Sequence, residues 1–313
     1  MRLIKDKTNI DFLSRSRRNI AVGFSILIIL SSIASFAVRG LNLGIDFTGG
    51  LLLEVRYPQQ ADLGNIRSKL QEAGYSQFVV QVFGTPTDVL VRLPPQPGED
   101  SNAVRDRLFS VLSSGDDAVV LRRIELVSAQ VGEELTEQGG LALIFALMMI
   151  FIYVMFRFQW KFAAGAVAAL AHDVIVTIGF FSFTGITFDL SVVAAVLAVI
   201  GYSLNDTVVV FDRIRENFSK LRGLGPTDAI NISINETLAR TIITGLTTLL
   251  VLVALLVLGG ESVGPFSVAI IVGIIVGTYS SVYTASAVAL MLHVNAKDLL
   301  PPEHDPDFVD DLP

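Results

Sequence analysis

The sequence predicts a six-helix transmembrane bundle, all-α within the membrane, with one inserted α+β domain of ferredoxin-like pattern on the extracytoplasmic side. Three observations carry that expectation. The 313 residues are 52% hydrophobic with a mean hydropathy of +0.61, far more apolar than a water-soluble domain of this length. Six apolar runs are each long enough to cross a hydrocarbon core of about 30 Å, which takes about 20 helical residues. The one long hydrophilic stretch, about 40–136, alternates strand-like and helix-like periodicity in the order β-α-β-β-α-β, the split pattern of a ferredoxin-like domain.

The elements follow in chain order. Residues 1–18 form a basic tail with Arg2, Lys5, Lys7, Arg15, Arg17 and Arg18, and 19–38 is the first span. A basic tail before an apolar run also fits a secretory signal, and "SFA" near its end is loosely cleavage-like; the length of the run and the structured continuation favour an uncleaved anchor. In the outer domain, "LLLEVRY" (51–57) reads as a strand, and 61–74 places Leu63, Ile66, Leu70 and Ala73 at helical spacing. "FVVQVF" (78–83) and "DVLVRL" (88–93) flank "GTPT", a hairpin signal. After the Pro-rich "PPQPGED", residues 102–113 give a second amphipathic helix through Val104, Leu108, Val111 and Leu112, and 118–127 a last strand. Five further spans are expected at 138–156, 162–183, 190–211, 240–259 and 264–292, before an acidic, Pro-punctuated tail at 293–313 with the composition of a disordered segment.

Lysine and arginine near the span ends set the orientation. The basic tail, the "RFQWK" turn with Arg157 and Lys161, and the loop with Arg213, Arg215, Lys220 and Arg222 fall on one side, whereas 184–190 and 259–264 carry neither residue. Both termini are therefore expected in the cytoplasm. The formal net charge of −7 is segregated by position and gives no nucleic-acid footprint. With no cysteine and three scattered histidines, no thiolate site or metal cluster is expected. No phosphate-binding G-x-x-x-x-G-K-[ST] occurs and the outer domain has no nucleophile elbow, so neither a cofactor nor enzymatic catalysis is expected.

Charges inside the membrane point to function, since each costs roughly 2.5–3.5 kcal/mol by insertion scales. They are His172-Asp173 near the middle of the third span, Asp206 in the fourth and Arg240 opening the fifth. Asp206 stands about 7–8 Å inside the cytoplasmic end at 1.5 Å per residue, a depth it shares with Arg240. The two are expected to meet across the bundle, while Asp173 is deeper by about a turn. A buried carboxylate beside a mobile arginine couples protonation to helix position. Asn205 and Thr207 flank the carboxylate, and Thr244, Thr247 and Thr248 extend the polar seam. Arg240 also fits a snorkelling interfacial role, and His172-Asp173 an interhelical hydrogen-bonded pair. Gly273, Gly277, Ser281 and Ala285 repeat every four residues in the sixth span, a face that allows close helix approach.

Four motifs in order, "LGIDFTGG" (43–50), "AHDV" (171–174), "IGYSLNDTVVVFDRIREN" (200–217) and "ETLARTIITGLTT" (236–248), resemble the SecF side of the SecD/SecF family of protein-export membrane subunits. The resemblance covers everything but the acidic tail. It implies one half of a twelve-span unit, akin to resistance-nodulation-division exporters, whose other half is a SecD-like subunit. It further implies use of the proton gradient to assist export of unfolded preproteins beside the Sec translocation channel and its motor ATPase. Asp206 and Arg240 match the family's proton-transport positions, with Asp173, His172 and Asn205 as further candidates; Gly44, Asp46, Gly49 and Gly50 match its signature, a hinge motif. The implied setting is a bacterial inner membrane, with membrane lipid around the spans, and a thylakoid membrane fits equally. A proton-coupled exporter half for lipids or small molecules is the alternative on the same intramembrane charges, and a scaffold that only stabilises the channel is a third reading.

Overall fold

The structure, a computed structural model, describes residues 8–96, 101–114, 118–221, 223–260 and 263–294. Arg2, Lys5, Lys7, Arg222, the end of the Pro-rich loop and the acidic tail from 295 onward lie outside these residues. Six helices are long and apolar enough to cross a membrane: α1 (Arg15–Arg39), α5 (Ala129–Arg157), α6 (Trp160–Thr184), α7 (Leu190–Lys220), α8 (Pro226–Leu258) and the pair α9 (Gly264–Val282) and α10 (Thr284–Met291). This is a multi-pass membrane protein. Between α1 and α5 lie a short helix α2 (Ile45–Thr48), then β1 (Gly50–Arg56), α3 (Leu63–Glu72), β2 (Val79–Phe83), β3 (Thr85–Leu93), α4 (Ser101–Ser113) and β4 (Val120–Val127).

The strands form one antiparallel sheet in the order β2-β3-β1-β4. Central β1 is buried on both faces. Leu51, Leu53 and Val55 point to a core shared with Ile66 and Leu70 of α3 and Leu108 and Leu112 of α4, whereas Leu52 meets Ile45 and Leu90 on the opposite face. Asp62 caps α3, accepting from the amides of Gly64 and Asn65 at 2.9 and 3.2 Å. The β2–β3 turn is tighter than "GTPT" predicts. Gly84, at φ +75°, reverses the chain alone, Phe83 pairs with Thr85, and residues 85–87 join β3.

In the membrane α6 is the central helix: 61% of its apolar window is buried, against 6% for α5. Glycine lets α9 lie against α7. A Cβ on Gly273 would stand 2.2 Å from Val199 Cγ2, and one on Gly277 3.1 Å from Ser203. Two apolar clusters result. The outer one takes Phe181, Phe188, Val192, Val196 and Ile200, and the inner one Phe162, Phe211, Ile214, Phe218 and Ile230. Three helix bounds differ from expectation for physical reasons. α5 begins at Ala129, inside the stretch expected as outer domain, because Ser128 caps it at the Val131 amide (3.3 Å). α7 and α8 outrun their apolar windows and pair beyond them, where Arg213 Nε donates to Glu236 (2.6 Å), while Arg157 Nη2 at the end of α5 donates to Asp212 of α7 (2.9 Å). Burial pushes the Glu236 carboxyl up, but hydrogen bonds from Asn217 and Arg213 outweigh it and hold it below its ordinary value. The sixth span is interrupted at Tyr283, whose ring packs against Phe12 and Tyr279.

Candidate functional site

On α7 the outer cluster ends at Ile200 and the inner one begins at Val210. Buried Ser203, Asp206 and Thr207 fill the interval. Polar groups from α6, α8 and α9 come to the same level, so a polar layer lies between two apolar ones. It has two centres.

The first is Asp173, fully buried. Its Oδ1 lies 3.1 Å from His172 Nδ1, and its Oδ2 accepts from Ser203 Oγ (2.6 Å) and Ser280 Oγ (2.8 Å). Three helices thus converge on one carboxylate, with Gly277 leaving the room: a Cβ there would stand 3.5 Å from Oδ2. Among the described residues the other ring nitrogen of His172 is buried with no hydrogen-bond partner, and the ring lies 6.0 Å from that of Tyr279. Tyr279 donates to Ala21 O (2.7 Å) and lies 3.1 Å from Ser25 Oγ, tying the layer to α1.

The second centre is Asp206, 5% exposed, between α7 and α8. Among the described residues its one side-chain hydrogen bond comes from Thr241 Oγ1, at 3.2 Å. Thr207 Oγ1 lies 3.0 Å from Ser281 Oγ, closing the layer toward α9. Ser203 precedes Asp206 by three residues, so Asp173 is deeper by about 4.5 Å at 1.5 Å per residue.

The expected meeting of Asp206 with Arg240 takes another form. Arg240 is exposed and makes no ion pair with Asp206. Successive helix residues point about 100° apart, and Thr241 takes the inward direction. Asn205 is likewise turned outward next to buried Asp206. The hydroxyls of Thr244, Thr247 and Thr248 do not extend the seam, because each donates to a backbone carbonyl of α8 itself. Sequence reasoning missed Ser203, Ser280 and Thr241. Ser203 and Ser280 stand out as small hydroxyl residues within apolar runs, but their common target depends on helix rotation.

The glycine signature forms a joint at the outer surface. Gly44 N donates to Phe188 O and Phe188 N to Asn42 O, both at 2.8 Å, while Asp46 Oδ2 accepts from the Leu190 amide at 2.9 Å. Gly49 and Gly50 have φ +66° and +122°, and added Cβ atoms would stand 2.8 Å from Ala129 Cα and 2.2 Å from Leu93 O. No side chain fits there. From the sheet, Arg92 Nη2 donates to Thr187 Oγ1 (3.0 Å) in the α6–α7 loop; burial pulls its guanidinium down, opposed by the charges of Asp189 and Asp46. A cleft of about 820 Å³ lies between the sheet and the bundle, lined by Gln81, Phe83, Leu90 and Arg92 above and by Leu256 and Val268 below. An apolar cavity of about 370 Å³ lies between α1, α5 and α6 and is closed by Leu41, Leu43, Phe47 and Phe188.

A family model described as protein export membrane protein SecD/SecF, C-terminal, matches residues 109–295, and one described as the SecD/SecF GG motif matches 34–61. The protein translocase subunit SecF of Pseudomonas aeruginosa is 49% identical over 296 residues, 95% of this chain and 96% of that one. Its counterpart in Escherichia coli O157:H7 is 44% identical over 282 residues, 90% and 87% of the two chains. Among solved structures, SecDF of Thermus thermophilus, described as a translocon-associated membrane protein, superposes with a TM-score of 0.81 at 36% identity, over 94% of this chain and 40% of that one. A SecDF structure in a super-membrane-facing form gives 0.69 at 35% identity over the same share. Matched in sequence and fold along nearly its whole described length, the chain belongs to the SecF branch of the SecD/SecF family of protein-export membrane proteins.

Proposed function

We propose that this chain is one half of a twelve-span unit with a SecD-like subunit, and that the unit uses the proton gradient to help draw unfolded preproteins from the Sec channel. Asp206 is the proton-binding group. The observation that carries this reading is its placement: a carboxylate buried at a helix–helix interface with a single hydroxyl donor, where Asp173 nearby has two hydroxyl donors and the His172 ring nitrogen beside it. A group so thinly satisfied gains most from a proton or from a cation drawn close. Arg240, next to the donor Thr241, reaches the carboxylate by rotation of α8. Asp173, His172 and Asn205 serve as supporting polar groups, and Gly44, Asp46, Gly49 and Gly50 as the hinge.

The outer domain reads as ferredoxin-like, supported by its strand order and two helices on one face, and acts mechanically on polypeptide. Its cleft toward the bundle is mixed in polarity, as contact with polypeptide main chain requires, while the strongly apolar cavity is walled by α1, α5 and α6 and by Leu41, Leu43 and Phe47 at the root of the outer domain, away from the sheet. This favours polypeptide over the small-molecule alternative. On this reading the spans lie in a bacterial inner membrane with both termini facing the cytoplasm, lipid surrounds them, ATP energy comes from the channel's motor ATPase, and no cofactor or nucleic acid takes part. The test is proton-gradient-dependent export in vesicles carrying the Asp206→Asn variant with its SecD-like partner. The gradient-dependent component is expected to vanish while the complex still assembles; full export by the variant would leave only the scaffold reading.

A further inference from the structure

Residues 8–12, before α1, form neither helix nor strand, yet they are held tightly against α8. Ile10 N donates to Asn235 Oδ1 and Phe12 N to Asn231 Oδ1, both at 2.8 Å. In return Asn235 Nδ2 donates to Ile10 O at 2.7 Å and Asn231 Nδ2 to the same carbonyl at 3.2 Å, and Thr8 Oγ1 donates to Asn235 O at 3.2 Å. An asparagine side chain carries the same acceptor and donor as a peptide unit. Four residues of helix advance about 6 Å, and two residues of extended chain span about 6.6 Å, so asparagines at i and i+4 match alternate peptide groups of a segment laid along the helix.

We propose that Asn231 and Asn235 form a main-chain-reading site on the cytoplasmic part of α8, whose occupant is this chain's own residues 8–12. The ligand is recognised as backbone: the Ile10 side chain is 42% exposed and adds little. Leu13, buried in the inner cluster, and the turn closed by Arg17 Nη1 on Asp11 O (2.6 Å) then lead into α1. The clasp ties the cytoplasmic root of α1, whose far end leads to the glycine joint and the outer domain, to the helix that carries Thr241 and Arg240. Movement of either helix therefore pivots about a shared end. The site stands whether or not Asp206 carries protons.

Hydrogen–deuterium exchange on the full chain in nanodiscs tests it. In an Asn231→Ala/Asn235→Ala variant the amides of Ile10 and Phe12 are expected to exchange about tenfold faster or more, with α6 and α9 unchanged. Ile10→Pro deletes one donated amide at an exposed side chain and is expected to speed exchange at Phe12. It also keeps the test open should the double variant fold poorly. Unchanged exchange at Phe12 in Ile10→Pro, or at both amides in a folded double variant, would show that side-chain packing alone holds the segment and would overturn the proposal.

Discussion

Asp173 and Asp206 lie about one turn apart in depth and solve burial differently. Asp173 meets donors on α6, α7 and α9, whereas Asp206 relies on Thr241. Both carboxylates were legible in the sequence, and so was interhelical hydrogen bonding at His172-Asp173, but the partners of neither carboxylate were. Hydropathy flags a charge in an apolar run, but the partner depends on rotation about the helix axis, and one residue of error turns it by about 100°. That is why Arg240 drew attention while its neighbour Thr241 holds the contact. Deleting one partner of a buried hydrogen bond leaves the other unsatisfied, at a cost of about 1–3 kcal/mol. Thr241→Val is nearly isosteric, so it is expected to lower stability in mild detergent by that amount, while Thr241→Ser keeps most of it. Equal melting of the two variants would mean the hydroxyl contributes nothing to Asp206.

At the scale of elements the sequence was more informative, because span length and amphipathic period are local properties. The six spans and the order of strands and helices follow from them. The extensions of α7 and α8 beyond their apolar windows, and the break at Tyr283, do not, since each is fixed by contacts between distant segments. The small-residue face of α9 was legible as packing, and the structure gives it a sign. In Gly273→Ala the new Cβ meets Val199 at 2.2 Å, so overpacking, about 1–3 kcal/mol, outweighs the helix propensity that alanine adds, about 1 kcal/mol. Gly140, in mid-α5, has nothing within 4 Å of an added Cβ. Gly140→Ala is therefore expected to raise the melting temperature of the full chain and Gly273→Ala to lower it. Shifts of the same sign would contradict the packing described for α7 and α9.

On the proposed function, the question for the whole molecule is what a proton can move. One elementary charge crossing 100 mV releases about 2.3 kcal/mol, while unfolding a domain costs about 5–15 kcal/mol, so protons suit a domain swing and cargo that arrives unfolded. On the same reading, the glycine joint between sheet and bundle is the pivot, and the Arg92 hydrogen bond to Thr187 is a latch. A hydrogen bond to a charged group is worth about 1.5–3 kcal/mol, the same size as one proton's drop, so a single proton can offset the latch. The two SecDF structures cover equal shares of this chain at nearly equal identity but superpose on it to different extents, with TM-scores of 0.81 and 0.69. Arg92→Met keeps a long side chain and removes the donor. Because the chain has no cysteine, spin labels placed by Gln60→Cys on the sheet domain and Leu258→Cys at the outer end of α8 report their separation without background. At about 1.4 kcal/mol per factor of ten, loss of the latch is expected to enrich the minor separation about tenfold or more with no gradient applied. An unchanged distance distribution would mean that Arg92 does not hold the outer domain, and that the joint alone sets its orientation.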